Sequence, residues 1–417
     1  MKVLWFSNTP ANADAFLHRE LKATGGWLKS LDKELQNNVE LHVAFFGSDN
    51  KPFKYKNTTY YPIKIKISFF YKVLRKFFNF HRKEYELNEY LKIIYDIQPD
   101  IIHLHGTELT FGEIIGQTTI PIVVSIQGNI TVYRHKYFSG IEERYLRNIF
   151  TKKNIIRLFF FGNELQFTYK LFNIQCKNEQ RYLAKCTNII GRTDWDRRIS
   201  CILAPNRKYF HCDEILRDSF YLNQWIKTEN KNLIIHTTTD NSVYKGFETL
   251  CSALNLLNTS GYNVEWRIAG VNSNDLIVSL VKRKLKKNYP TIGLIFLGNL
   301  NEDQLVRKML EADIYIMPSH IENSPNSLCE AMILGMPCIA TFTGGTGALL
   351  LDKEEGILIQ DGDPWVMAGA IVELSLDSFK AALLGQNARK RALLRHNKEK
   401  IVKELVLIYN KITNEDE

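Results

Sequence analysis

Two glutamates, Glu322 and Glu330, stand eight positions apart in MPSHIENSPNSLCEAMILGMP, the segment from Met317 to Pro337. Paired carboxylates flanking the start of a helix can accept hydrogen bonds from the hydroxyls of a nucleotide sugar. The run Asp313 to Met317 predicts a strand stopping at Pro318, and Ser324-Pro325 predicts an N-cap with proline at the first helical position, where no N–H is needed. Glu322 then lies in the loop, and Glu330 lies about five residues into the helix, some 7 Å along its axis. Between them, the first-turn N–H groups around Ser324, Asn326, Ser327 and Leu328, with the positive end of the helix dipole, suit a diphosphate. Glu330 is placed for ribose hydroxyls, and Glu322 for hydroxyls of the transferred sugar. Spacing alone favours two solvated glutamates beside an ordinary βα turn, so the rest of the chain has to decide.

The elements that must position these residues alternate between strand and helix. Strands are predicted at Lys2 to Ser7, Leu41 to Phe46, the PDIIHLHG run, Pro121 to Ile126 and Thr187 to Gly191, with a strand and turn over Lys208 to Tyr221. A polar linker, Leu222 to Asn232, precedes a second series: strands Leu233 to Thr237, Glu265 to Gly270, Gly293 to Gly298 and Asp313 to Met317, with helices between and a helical remainder from Trp365 to Ile412. Such alternation implies parallel sheets, whose ligands bind beyond the carboxyl ends of the strands. In the first half those ends hold His103, His105, Gln127 and Arg192, and the pair Gly25 and Gly26 opens a helix where backbone can approach a ligand or another domain closely. Of His103 and His105, one is expected to point inward and the other outward, leaving at most one for function and a hydrogen-bonded core position for the other.

With 417 residues, 45% of them hydrophobic and 24% charged, the chain fits two globular domains of roughly 200 residues each. Seven scattered cysteines, none in a C-x-x-C pair, read as reduced thiols and neither a disulfide frame nor a metal site. The start of the chain has no signal-peptide pattern, and no stretch is apolar enough to span a bilayer. The net charge of +9 is uneven: residues 1–200 hold 30 Lys and Arg against 19 Asp and Glu, and the remainder holds 24 against 26. Lys51 to Lys83 alone carries ten Lys or Arg, no acid and ten Phe or Tyr. Phe69, Phe70, Tyr71, Phe77, Phe78 and Phe80 interleave there with cations, as they would in the headgroup region of an anionic membrane; an amphipathic helix facing the core fits equally. A second cluster, Arg157 to Phe172, repeats the pattern.

Lys245-Gly246 after LIIHTTTD, the FLG turn at Phe296 to Gly298, ENSPNSLCEAM and the later Gly344-Gly345 occur in an order that resembles the retaining glycosyltransferases of family 4. ENSPNSLCEAM stands where many members have a glycine-rich EGFG-like turn. The resemblance implies a GT-B fold: α/β, two facing Rossmann-like domains with parallel sheets, and a C-terminal helix returning to the first. The expected bounds are 1–222 for an acceptor-binding domain, 223–395 for a nucleotide-sugar-binding domain and 396–417 for the returning helix. It further implies that Lys245 neutralises the donor diphosphate, that Glu322 and Lys245 are the catalytic residues, and that transfer needs no metal or other cofactor beyond a UDP- or GDP-linked donor. The family's usual arginine shortly before this lysine is missing, so any second cation must come from elsewhere, and Arg192 is the candidate for it. Where many members carry histidine, Gln127 offers an amide that cannot carry a proton at neutral pH, consistent with a leaving phosphate that takes the acceptor proton itself. GRTDWD and CDEILRDSFY resemble a subgroup of bacterial surface-polysaccharide pathways (lipopolysaccharide or capsule), with Glu214 and Arg217 expected to pair at the interdomain hinge.

The expected activity is hexosyl transfer to a cell-surface glycan or lipid-linked acceptor, in the cytoplasm or peripherally on the inner face of the plasma membrane. A sugar-nucleotide epimerase of similar fold, and a non-catalytic basic binding protein, are the alternatives. Nucleic-acid-binding motifs are absent.

Overall fold

The computed structural model describes residues 1–14, 16–17, 26–64, 83–142, 164–227 and 230–414. These divide into two compact units, each built on its own sheet.

The first unit comprises the described residues of 1–134, 168–215 and 397–417. Its eight strands are β1 (Lys2–Ser7), β2 (Glu40–Phe46), β3 (Phe53–Tyr55), β4 (Thr58–Ile63), β5 (Ile101–His105), β6 (Ile122–Ser125), β7 (Asn188–Gly191) and β8 (Lys208–His211), in the order β3-β4-β2-β1-β5-β6-β7-β8. All pairings are parallel except β3 with β4. The central strands are apolar on both faces because helices cover both sides of a parallel sheet. On one face Val3, Trp5, Leu28, Leu31 and Val43 pack with Ile401, Leu405 and Tyr409 of the helix Lys398–Asn414. The last helix therefore belongs to the first unit, and the Trp5 indole N–H donates to the Tyr409 hydroxyl at 3.1 Å.

The β3-β4 hairpin occupies part of what the sequence presents only as a basic aromatic segment. Tyr60 is fully buried, and its hydroxyl donates to Asp32 at 2.5 Å, so at this end of the segment the aromatic rings serve the core. Phe69 to Phe80 lie outside the described residues, as do residues 157–163 of the second cluster and Gly25.

The second unit takes in 135–167, of which 135–142 and 164–167 are described, and 216–396. Its strands are β9 (Leu233–Thr238), β10 (Val264–Ala269), β11 (Leu294–Gly298), β12 (Ile314–Met317), β13 (Cys338–Thr341) and β14 (Ile357–Ile359), all parallel in the order β11-β10-β9-β12-β13-β14. The order reverses between β9 and β12, so the loops after these two strands open a crevice at the switch point of the sheet. The chain enters this unit at Leu216, ahead of the 222/223 change read from sequence, because Leu216, Phe220 and Trp225 are buried in its core. The supposed polar linker is held as well: the Trp225 backbone N–H donates to the Leu334 carbonyl and its indole N–H to the Ala312 carbonyl, both at 2.7 Å. Residues 135–142 join the same unit, with the Tyr137 ring against Tyr244 and the Lys284 ammonium on the Gly140 carbonyl.

Candidate active site

The turn after β9 and the loop after β12 bring together residues some 80 positions apart in the chain. Lys245 ends a 3-10 turn, Val243–Lys245, and Gly246 then adopts φ +73° before the helix Phe247–Thr259. A Cβ on Gly246 would lie 1.9 Å from the Pro318 carbonyl oxygen, so the two loops touch through backbone that only glycine permits. Across that contact the Lys245 ammonium donates to Glu322 Oε1 at 2.7 Å. Burial alone would lower the Lys245 pKa, but the Glu322 carboxylate, helped by Asp240 and Tyr244, outweighs it and holds the ammonium well above its ordinary value. Behind Glu322, Gly344 has φ +54° and leaves no room for a side chain against the Glu322 carbonyl, which accepts from the Gly345 N–H at 2.9 Å.

The helix carrying Glu330 is Asn326–Leu334. It starts one residue later than the sequence predicts: Pro325, not Ser324, occupies the capping position, and no side chain caps the first turn. Leaving that turn without a side-chain cap keeps its first N–H groups available to an anion, although the Leu328 N–H donates to the Pro325 carbonyl at 3.1 Å. Ser324, Asn326 and Ser327 are partly exposed around it, Leu328 is buried, and Asn326 Oδ1 is buried without a hydrogen-bond partner. Glu330, 4% exposed, receives a two-pronged ion pair from Arg217, with Nε to Oε1 and Nη2 to Oε2 both at 2.7 Å. Burial opposes the Arg217 charge, and the Glu330 carboxylate more than restores it.

The partnership expected between Glu214 and Arg217 is therefore corrected. Glu214 pairs with Arg192 in the first unit, and Arg217 pairs with Glu330 in the second. The pairing follows burial: Leu216 and Phe220 carry Arg217 into the second core, whereas Glu214 precedes Ile215, which packs in the first. Arg192, expected as a spare cation, is committed in its own unit. Besides Glu214, it donates to the carbonyls of Ile126 at 2.9 Å and Gln127 at 2.8 Å.

His103 and His105 require a second correction. Residues two apart on a strand share a face, and the two rings lie 3.9 Å apart between centroids, both buried on the same side of the sheet. His103 Nδ1 is 2.6 Å from the Tyr409 hydroxyl and Nε2 2.6 Å from the Ser125 hydroxyl; burial lowers its pKa to about 3. His105 is also held far below its usual range by burial, then by His103, and neither ring nitrogen has a hydrogen-bond partner. It lines a cavity of about 20 Å³ with Trp27, Gln127, Arg192 and Glu214. Gly26 begins the helix Gly26–Leu35, one residue before Trp27.

Sequence reading did not find three side chains beside the Lys245–Glu322 pair. His320 Nε2 lies 2.7 Å from Glu248 and Nδ1 3.3 Å from Asp361, which also pairs with Lys136 at 3.3 Å. His320 sits two residues before Glu322 inside the motif already singled out, but nothing local indicates that Glu248 and Asp361 converge on it.

Residues 219–391, most of the second unit, match the family described as Glycosyl transferases group 1. The match lies within the second unit and covers less than half of the chain. Among curated relatives it is 28% identical over 133 residues to the uncharacterized glycosyltransferase MJ1069 of Methanocaldococcus jannaschii, covering 32% of this chain and 34% of that protein. It is 25% identical over 181 residues to the capsular polysaccharide biosynthesis glycosyltransferase CapM of Staphylococcus aureus, covering 42% and 44%. The matched stretches thus span less than half the length of these relatives. The fold match is broader. Sucrose-phosphate synthase from Thermosynechococcus elongatus superimposes with a TM-score of 0.74 over 98% of each chain, at 14% identity. Anabaena HepE, solved with UDP and glucose, superimposes with a TM-score of 0.65 over 97% of this chain and 98% of that one, also at 14% identity. The fold is GT-B. Among the described residues no helix is long and apolar enough to cross a membrane.

Proposed function

We propose that this chain is a member of glycosyl transferases group 1 that moves a sugar from a nucleotide-sugar donor, UDP- or GDP-linked, to a cell-surface glycan or lipid-linked acceptor, with retention and without a metal ion. The observation that carries the reading is the Lys245–Glu322 pair, 2.7 Å across the switch point of the second sheet and beside the uncapped start of the Glu330 helix. Support comes also from the relatives: CapM is named for capsular polysaccharide biosynthesis, and HepE was solved with UDP-glucose.

In this reading the donor diphosphate lies against the first turn of Asn326–Leu334, contacted by the N–H groups and side chains around Ser324, Asn326, Ser327 and Leu328. Lys245 leaves Glu322 for the phosphate oxygens, where negative charge grows as the leaving group departs. Glu322, released, accepts hydrogen bonds from the hydroxyls of the sugar. Glu330 accepts from the ribose hydroxyls through the lone pairs that Arg217 leaves open, a carboxylate having about four such sites. The bond from the anomeric carbon to the phosphate oxygen breaks, the acceptor oxygen bonds to that carbon on the same face, and its proton passes to the departing phosphate. Gly26, His103, His105, Gln127 and Arg192 shape the acceptor side, with Gly26 and Gln127 the partly exposed members of the group. The chain works in the cytoplasm, peripherally on the inner membrane face, where the basic aromatic segment meets anionic lipid.

Calorimetry with UDP, GDP and their sugar conjugates tests the donor site. Lys245→Ala should weaken both nucleotide and conjugate, whereas Glu322→Gln should weaken the conjugate more than the bare nucleotide. Parent protein that binds none of these, or an unchanged affinity in Lys245→Ala, refutes the reading. The anomeric configuration of the product and turnover in a chelator test retention and metal independence.

A further inference from the structure

Lys245 and Glu322 both stand on irregular backbone, so something has to hold their loops in register. The Pro318 to Asn323 loop carries Glu322, and the turn after β9 carries Lys245. His320 lies in the first and reaches the second twice. Its backbone N–H donates to the Tyr244 carbonyl, next to Lys245, at 2.8 Å. Its Nε2 is 2.7 Å from Glu248, three residues beyond Lys245 in the following helix. On the other side Nδ1 meets Asp361, and the His320 carbonyl accepts from the Thr343 hydroxyl at 2.6 Å.

Both ring nitrogens face carboxylates. An ionised carboxylate only accepts, and a neutral imidazole has one N–H, so both contacts form together only when the ring is an imidazolium. The site is built for that charge: His320 is 3% exposed, Glu248 4%, and the Gly140 backbone closes on the Glu248 carboxylate so tightly that a Cβ there would lie 2.4 Å away.

We propose that protonated His320 is a positioning residue that fixes the distance between Lys245 and Glu322, and so makes affinity for the donor diphosphate depend on its proton. The inference rests on the donor-site reading above. The charged groups facing His320 are Glu248 from the helix Phe247–Thr259, Asp361 from the loop after β14, and Lys136 behind Asp361. Two carboxylates outnumber the one cation. Burial alone would lower the His320 pKa, but Glu248 and then Asp361 raise it above the usual histidine value. A raised value means that the clamp is complete at and below about pH 6.5 and is lost as pH rises through the folded-state pKa. Once neutral, one ring nitrogen turns a lone pair toward a carboxylate and that contact fails.

The test uses the full chain with histidine-selective NMR, the His320 signal assigned by its loss in His320→Gln, and UDP and GDP as probes. The His320 midpoint should lie above 6.5 and fall in Glu248→Gln and in Asp361→Asn. Saturating nucleotide should raise it by about one unit, equivalent to about a tenfold fall in nucleotide affinity between a pH well below the free midpoint and one well above the bound midpoint. His320→Gln should lose that pH dependence while still binding nucleotide. A His320 midpoint at or below 6.5, or one that nucleotide does not move, overturns the positioning role and leaves the donor reading standing. Absence of nucleotide binding by the parent at every pH overturns the donor reading and the inference with it. Should His320→Gln fail to fold, the two carboxylate variants and the nucleotide-linked shift in the parent decide the matter.

Discussion

Arg217→Ala should destabilise the second unit by about 3 kcal/mol. The guanidinium and the Glu330 carboxylate meet through two 2.7 Å bonds, with side chains only 17% and 6% exposed, so removing the cation strands a buried charge. Breaking one partner of such a pair costs about 3–5 kcal/mol, and the residual exposure of Arg217 places this case at the lower end. The cation over the Phe220 ring, 4.8 Å away, is lost as well. For a unit of this size, 3 kcal/mol corresponds to a Tm lower by about 6–12 °C. Thermal melts followed by tryptophan fluorescence report on the second unit through Trp225 and Trp266, buried in it, once the signal of Trp5, Trp27 and Trp195 in the first unit is removed by Trp→Phe substitution in the parent and variants alike. The double variant Arg217→Met, Glu330→Leu replaces the pair by apolar groups of similar volume and should recover most of the loss, since the penalty comes from the unpaired charge. A Tm for Arg217→Ala within about 2 °C of the parent would refute the reasoning. A double variant no more stable than the single one would do so too. Tighter nucleotide binding by Arg217→Ala would show the pair to be a latch that donor must open, contrary to the supporting role given to it here.

Gly246→Ala should cost about 1–3 kcal/mol or more, because alanine is strained at φ +73° and its methyl meets the Pro318 carbonyl; urea denaturation checks this, and a neutral substitution would mean that the two loops can part. His103 has a folded-state pKa of about 3, below its unfolded value, so the stability tied to it is present above about pH 6.5 and drains away as pH falls, by up to about 1.4 kcal/mol per pH unit. Urea midpoints measured from pH 7 to pH 4 should fall less steeply in His103→Gln than in the parent, and equal slopes would contradict the assignment of His103 as a buried neutral ring.

Much of the architecture was legible because it rests on local pattern. The apolar runs of β1, β2, β5, β9 and β12 are short and bounded by polar or glycine-containing turns, and their alternation with helices announces parallel sheets. The β3-β4 hairpin was not legible: Tyr60 looks like one more aromatic among lysines until Asp32, 28 residues away, accepts its hydroxyl. Trp225 looked like part of a linker because its two backbone acceptors, Leu334 and Ala312, lie about a hundred residues downstream. The two histidines of β5 show a different failure, a misapplied strand period that the observed 3.9 Å ring separation exposes.

Sequence by itself determined the alternation of strands and helices, and it singled out Lys245, Glu322 and Glu330 as donor-site candidates through a motif order that resembles a known family, features carried by neighbours in the chain. Tertiary structure alone decided who partners whom. Arg217 goes to Glu330 and Glu214 to Arg192, and His320 stands between Glu248 and Asp361. The reason is physical. A charged side chain is equally at home near any opposite charge in the unfolded chain, and its partner is chosen only when packing of apolar neighbours such as Ile215 and Leu216 carries it into one core or the other, where an unpaired charge costs too much to leave.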